Sequence, residues 1–375
     1  MKPRERVIKA IEHEEPDRVP LNISIRTDVI KKLYAYFGFD EAKLSQDDKM
    51  EALLKRFGID FRSVSIDPPT GYKPKFEVPD EDVGGWEREI YLLYEEWKIK
   101  MKPTVDGKQA RIVYHPLQHI DLDDYQFPDI EAPGRFDRAE KRIKKYDEEY
   151  ATIGSISISL FTHAWFLRGF REFTRDLYTN PHFVNKLLDR LLQWTIEEGR
   201  RFVEMGVDIC AIGDDFGMQT GLIISPELWR KYFKPRYQKL FKELKNKGNV
   251  YIFFHSDGNI ERIIPDLIEI GVDILDPVQP ECMDVVKLKE LYGEQLTLHG
   301  TISIQKTLPF GTTNDIKKEV ITRIRTLGHN GGLVISPKQL MYDIPIENIL
   351  TLYDTARRYG RYPITYYSNS SKSIH

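Results

Sequence analysis

Val250-Tyr251-Ile252-Phe253-Phe254-His255-Ser256-Asp257-Gly258-Asn259 is the stretch that decides the fold. A β-branched and aromatic run ends on an imidazole, with a carboxylate just beyond, and Gly258-Asn259 then breaks the strand. A helix is expected from Ile260 to Ile270. Parallel α/β folds carry their chemistry at the C-terminal ends of buried strands, which makes His255 and Asp257 the first site candidates. The plainer reading is a histidine packed at a strand end and an aspartate capping the next helix.

Working outward, the same alternation repeats. Strands are expected at about Arg18–Ser24, Phe61–Ile66, Thr152–Ser157, Asp208–Ile212, Val250–Phe254, Asp273–Leu275, Leu296–Gly300 and Leu333–Ser336. Amphipathic helices are expected at Pro181–Met205, Pro226–Lys247, Thr313–Leu327 and Ile346–Tyr359. A small signature enters three strands: Gly58-Ile59-Asp60, Gly206-Val207-Asp208 and Gly271-Val272-Asp273. In each, the glycine suits the left-handed residue that ends a helix, and a branched residue opens the strand. Eight strands alternating with helices fit one (β/α)8 TIM barrel. A doubly wound open sheet is the runner-up, since no Gly-rich dinucleotide fingerprint follows the first strand.

One segment interrupts the alternation. Trp86 to Leu117 alternates apolar and polar residues around Asp106-Gly107, a strong turn signal, and reads as a β-hairpin insertion after the second strand. Long βα insertions shape the catalytic mouth of barrels. Asp121 to Tyr150 reads as a loop and then a solvated helix. The expected organisation is a single barrel domain over 1–367, with the insertion around 80–120, and a disordered tail over 368–375.

Composition sets the function classes. With 375 residues, 41% of them hydrophobic, the chain can bury a large core. A formal net charge of −3, with lysine and arginine dispersed among acids, argues against nucleic acid as a partner. No apolar run approaches the roughly 20 residues of a membrane helix, and the charged N-terminus lacks a signal-peptide core. The two cysteines, Cys210 and Cys282, make no disulfide framework. A cytoplasmic protein is expected.

The polar residues at strand ends give the candidate site. The second strand ends at Asp67 in a stiff Pro-rich loop, and the third is followed by His163 and Arg168. The fourth is followed by Asp214-Asp215, with Gln219 beyond. Adjacent carboxylates there suit a cation or acid/base work, although one of the two is expected to be a turn or capping acid. The fifth carries His255 and Asp257, which share one face of an extended segment and suit a divalent metal if a third ligand joins them. The sixth leads to Gln279, Glu281 and Cys282, the seventh ends on His299, and the eighth leads to Lys338. Cys282 is more often a small core residue than a ligand, and His299 fits a half-buried histidine equally well.

From Pro3 to Tyr362 the chain resembles the uroporphyrinogen decarboxylase superfamily, in particular its methyltransferase-like branch. The residues that carry this are Arg4 to Ala10 with Glu15-Pro16-Asp17-Arg18-Val19-Pro20, Leu167-Arg168-Gly169-Phe170, and Gly213-Asp214-Asp215-Phe216-Gly217 with Ser225-Pro226-Glu227. Further on they are His255 to Asn259, Leu298-His299-Gly300 before Gln305, and Gly331-Gly332-Leu333 leading to Asp343-Ile344-Pro345-Ile346-Glu347-Asn348. The resemblance implies a (β/α)8 barrel and two competing activities.

Decarboxylases of the family carry an Arg-rich segment after the first strand that binds substrate carboxylates. Here Asn22-Ile23-Ser24-Ile25-Arg26-Thr27 supplies one arginine, Arg26. Asp67 falls where the family's central catalytic aspartate would sit. The methyltransferase branch implies a zinc held by H-x-C after the fifth strand and a cysteine after the eighth, with a corrinoid carried by a partner protein. This chain keeps His255, has Asp257 in place of the first cysteine, and offers Ser336-Pro337-Lys338 in place of the second. The expectation is therefore a methyltransferase acting on a small substrate, with Asp67, Asp215 and His255 as catalytic groups. His255 and Asp257 are the zinc ligands of that reading, and a harder oxygen-rich metal site replaces the thiolate one. Arg26, His163, Arg168, Asp214, Gln219, His299 and Lys338 are the substrate-binding candidates, and a homodimer is the expected assembly. Decarboxylation centred on Asp67 is the alternative, and a non-catalytic binding barrel the third reading.

Overall fold

The computed structural model of the protein describes residues 1–39, 44–73, 92–103, 110–341 and 343–364. Seven parallel strands form one curled sheet: β1 (Phe61–Val64), β4 (Ala151–Ser155), β5 (Ile209–Gly213), β8 (Tyr251–His255), β9 (Ile274–Asp276), β10 (Thr297–His299) and β11 (Leu333–Val334). They stand in chain order, with helices between them. The eighth staff of the barrel, expected over Arg18–Ser24, is reduced to isolated bridges, Leu21 to Ile335 and Ile25 to Leu340. Its hydrogen bonds still join both edges of the sheet. Asn22 N donates to Ile335 O at 3.0 Å, and Asp60 N donates to Leu21 O at 2.9 Å. The result is a (β/α)8 TIM-type barrel, and the sequence pattern named the region of every staff.

The recurring Gly-x-Asp signature has a physical reading. Gly58, Gly206 and Gly271 all have positive φ, where each glycine turns the chain from helix to strand. The aspartate that follows clamps the preceding staff. Asp60 accepts from Leu21 N at 2.8 Å, Asp208 from Thr152 N at 3.0 Å and Asp273 from Ile252 N at 2.7 Å. Arg6 and Arg18 close on Asp60, and Arg4 on Asp208, so this pole of the barrel is stapled by ion pairs. The strand C-termini lie at the opposite pole.

Two expected helices differ from the structure. Pro226–Lys247 is split into Pro226–Tyr232 and Lys234–Lys247, because Pro235 lacks the N–H that would continue the first helix. Ile260–Ile270 is a 3-10 turn, Glu261–Ile263, followed by Ile264–Glu269, with Pro265 in its first turn. The helices Thr313–Leu327 and Ile346–Tyr359 have the expected bounds. After β1, β2 (Lys100–Pro103) pairs antiparallel with β3 (Ala110–Tyr114), as the hairpin pattern implies. Residues 92–96 are helical rather than extended. The Asp106-Gly107 turn, the Trp86 to Tyr91 part of the alternation and the expected tail over 368–375 lie outside the described residues. Among the described residues, no helix is long and apolar enough to cross a membrane.

Candidate functional site

The β8–β9 register places His255 directly opposite Asp276, with side chains on the same layer of the barrel. His255 Nδ1 hydrogen-bonds Asp276 Oδ2, and His299 Nδ1, one strand further on, hydrogen-bonds Asp276 Oδ1. One buried carboxylate thus holds two imidazoles. The far nitrogen of His299 lies 3.1 Å from Asn22 Nδ2. Asn22 Oδ1 accepts from Ile23 N at 2.8 Å, which turns the amide N–H toward His299. His299 Nε2 is therefore an acceptor, and its proton sits on Nδ1, facing Asp276.

This chain of contacts aims His255 Nε2 into the mouth. There it faces Asp215 Oδ1 at 3.7 Å and Asp257 Oδ2 at 3.9 Å. Burial opposes a charged His255, but the hydrogen bond and charge of Asp276, then Asp215 and Asp257, outweigh it and raise its pKa to about 9. Burial likewise works against the Asp276 carboxylate, yet the two imidazoles hold it well below the usual carboxylate range. Lys338 completes the cluster with Nζ 2.6 Å from Asp257 Oδ2. Burial disfavours its charge, and Asp257, Asp215 and Asp276 together raise its pKa regardless.

The backbone around Asp257 is held from below. Asp257 N donates to Asp215 Oδ1 at 2.9 Å, and Gly258 N donates to Gln279 Oε1 at 2.7 Å. A two-stranded hairpin, β6 (Gly217–Met218) with β7 (Gly221–Leu222), lies against the turn. Gly258 has φ +84°, and a Cβ there would meet the carbonyl carbon of Gly217 at 2.5 Å. Gly258→Ala is therefore expected to cost about 2 kcal/mol or more. Thermal melts against wild type check this, and an unchanged midpoint would mean that the hairpin does not pack on the turn.

The donors match a divalent cation. Asp215, His255 and Asp257 each offer one ligand atom, and the three atoms lie within 4.8 Å of one another. Asp257 Oδ1 is buried with no hydrogen-bond partner. The second nitrogen of His255 already rests on a carboxylate, one of the partners that orient metal-bound histidines. One nitrogen and two carboxylates suit a harder ion than a thiolate site does.

The family model for uroporphyrinogen decarboxylase (URO-D) matches residues 90–359, well over half of the chain. The chain belongs to the uroporphyrinogen decarboxylase family. Among curated relatives, a uroporphyrinogen decarboxylase of Trichodesmium erythraeum is 20% identical over 221 residues, covering 57% of this chain and 60% of that protein. Among solved structures, a methyltransferase from Methanosarcina mazei superposes with a TM-score of 0.71 at 21% identity. That match covers 96% of this chain and 99% of the other, and it shows the shared fold.

Of the residues expected at the site, the structure gathers His255, Asp257, Asp215, His299 and Lys338 into this one cluster. Others have different neighbours. His163 is in the core: its ring packs edge-on against Trp97 at 4.3 Å, and burial pushes its pKa down to about 3. Its ring is neutral and packs in the core. Asp214 is also buried, accepting from Phe161 N and Thr162 N at 2.7 Å each and from Tyr237 Oη at 2.5 Å. This is the capping acid of the pair. Arg168 is spent on Asp176 at 2.8 Å and on Leu117 O at 2.6 Å.

Asp67 forms a two-pronged pair with Arg138 of the helix Asp137–Tyr146, at 2.6 and 3.1 Å. Arg26 precedes the helix Thr27–Phe37 and lies 3.5 Å from Asp28, its backbone bonded to Leu340 O. Gln219 stands exposed on the β6–β7 turn, bonding Glu281 O at 3.0 Å, with Gln305 at 3.5 Å. Cys282 is half-buried, 3.6 Å from Gln279 Oε1. Sequence reasoning missed Asp276 and Asn22. Asp276 closes Ile274-Leu275, in the same position on its strand as His255 on the previous one.

Proposed function

We propose that this member of the family is a methyltransferase that moves a methyl group between a small methylated compound and a carrier, a corrinoid protein in the first instance. The reaction centre is the cluster of His255, Asp215 and Asp257. The observation that carries the reading is the orientation of His255: Nδ1 is fixed by Asp276, so Nε2 stands opposite two carboxylates at the C-terminal pole. That is a ligand set, and His255, Asp215 and Asp257 would hold a divalent cation there. When bound, such an ion supplies Lewis acidity at an oxygen of the substrate or acceptor.

The protein's own groups do the rest. Asp276 and His299 fix the tautomer and angle of His255, Asp215 holds the Asp257 backbone, and the β6–β7 hairpin with Gln219 and Gln305 forms a rim. Decarboxylation of a poly-acidic substrate is the weaker reading. Carboxylates outnumber cations in the cluster, and Asp67 is engaged with Arg138. Under methyl transfer, Asp67→Asn leaves kcat/KM nearly unchanged; a loss as severe as that of His255→Ala would move the assignment to decarboxylation.

The direct test is metal content of protein purified without a metal-affinity tag and then supplied with zinc or manganese, wild type beside His255→Ala. About one ion per chain, lost in the variant, is the expected outcome. No ion in either protein would remove the metal from this reading. Loaded protein is then assayed with methylated oxygen and nitrogen compounds and a corrinoid acceptor.

A further inference from the structure

Asp257 Oδ2 is shared. It is the oxygen that faces His255 Nε2 at 3.9 Å, and it also bonds Lys338 Nζ at 2.6 Å. A cation bonded to that oxygen at about 2.1 Å would lie less than about 5 Å from the ammonium. Two positive charges cannot be held there together at low cost, in a half-buried pocket that screens them poorly.

The backbone beneath Lys338 is fixed, whereas its side chain is long. Pro337 bridges to Ile302, and Leu340 bridges to Ile25, so the segment is laced to the barrel on both sides of Lys338. A lysine stem carries several rotatable bonds and can redirect its head without moving that backbone. Asp257 also keeps a second oxygen, the buried and unpartnered Oδ1, that no lysine contact satisfies.

We propose that Lys338 is a resident cation that closes the divalent-metal site: ammonium and metal exclude each other at Asp257, and loading requires Lys338 to swing away. The proposal rests on the reading above that the cluster takes a divalent cation. It keeps a cation paired with Asp257 when no metal is bound. The segment Ser336-Pro337-Lys338, where the resemblance implies a cysteine, thus supplies a competitor in this chain.

The experiment is a binding titration of zinc and of manganese on the metal-stripped full chain: wild type, Lys338→Met and Lys338→Met/His255→Ala. Lys338→Met keeps most of the stem and removes the charge; Lys338→Gln is the second variant should methionine disturb folding, which circular dichroism reports. The expected result is at least about 10-fold tighter binding in the single variant, a shift of about 1.4 kcal/mol, with binding lost in the double variant. Equal or weaker binding than wild type would overturn the closure and leave the metal site standing. No binding in wild type or in either Lys338 variant would sink the metal site itself. A second readout is acylation of Lys338 followed by mass spectrometry. Reactivity should rise when the wild-type chain is saturated with metal, and unchanged reactivity counts against displacement.

Discussion

Asp276→Ala is expected to lose about 3 kcal/mol of stability and to weaken metal binding about 10- to 100-fold. Asp276 is buried and accepts from two imidazoles, so its removal strips both of the carboxylate that fixes their Nδ1 atoms. Ring orientation is then lost at His255, and with it the aim of Nε2. The pH dependence separates this from a simple packing defect. The folded-state pKa of His255 is raised to about 9, above the ordinary value of about 6.5 for an unfolded histidine. The folded protein therefore binds the proton more tightly. This contribution is complete below about pH 6.5 and is lost as pH rises through about 9. Metal-free Asp276→Ala should show its largest deficit near pH 6 and a smaller one near pH 9.5. Urea titrations at the two values decide it. A deficit independent of pH would mean that Asp276 serves the fold alone and does not hold a charged His255.

Much of the architecture was legible because it follows from period and punctuation. Apolar runs, Gly-x-Asp entries and amphipathic helices name the staves, since each must bury one face and turn at a residue that tolerates positive φ. The first staff was least regular, because backbone bonds to two neighbours do not need a long strand. At the site, legibility followed strand-end position: His255, Asp257 and His299 stand where the rule puts them. The candidates outside this cluster share a different cause. His163 and Arg168 lie on the helix Phe161–Arg168, where only half the faces look toward the mouth, and a sequence does not say which. Asp276 went unread because Ile274-Leu275-Asp276 is only three residues long, and a short strand hides its register until its neighbours are paired.

The adjacent acids Asp214 and Asp215 give the sharpest contrast, and opposite results are expected from the same substitution. Asp214→Ala removes the acceptor for two backbone N–H groups and the Tyr237 hydroxyl, all at 2.7 Å or less in a buried setting. Each orphaned donor costs about 1–3 kcal/mol, so a loss of about 3–5 kcal/mol is expected, enough to threaten folding. Burial raises the Asp214 pKa to about 6. A carboxyl that holds its proton more tightly when folded favours folding most below its unfolded pKa, and that contribution fades as pH rises through about 6. Asp215→Ala, by contrast, leaves a half-exposed position whose removal should cost under about 1 kcal/mol, through the lost bond from Asp257 N. Under the proposed metal reading its effect falls on the metal titration and on kcat, because one of three proposed ligands is gone and the Asp257 turn is loosened. The two variants are compared by thermal melting and by metal binding on the same preparations. If Asp215→Ala melts like Asp214→Ala while still binding metal, the cluster is a structural knot, and the reaction must be sought at another part of the pole.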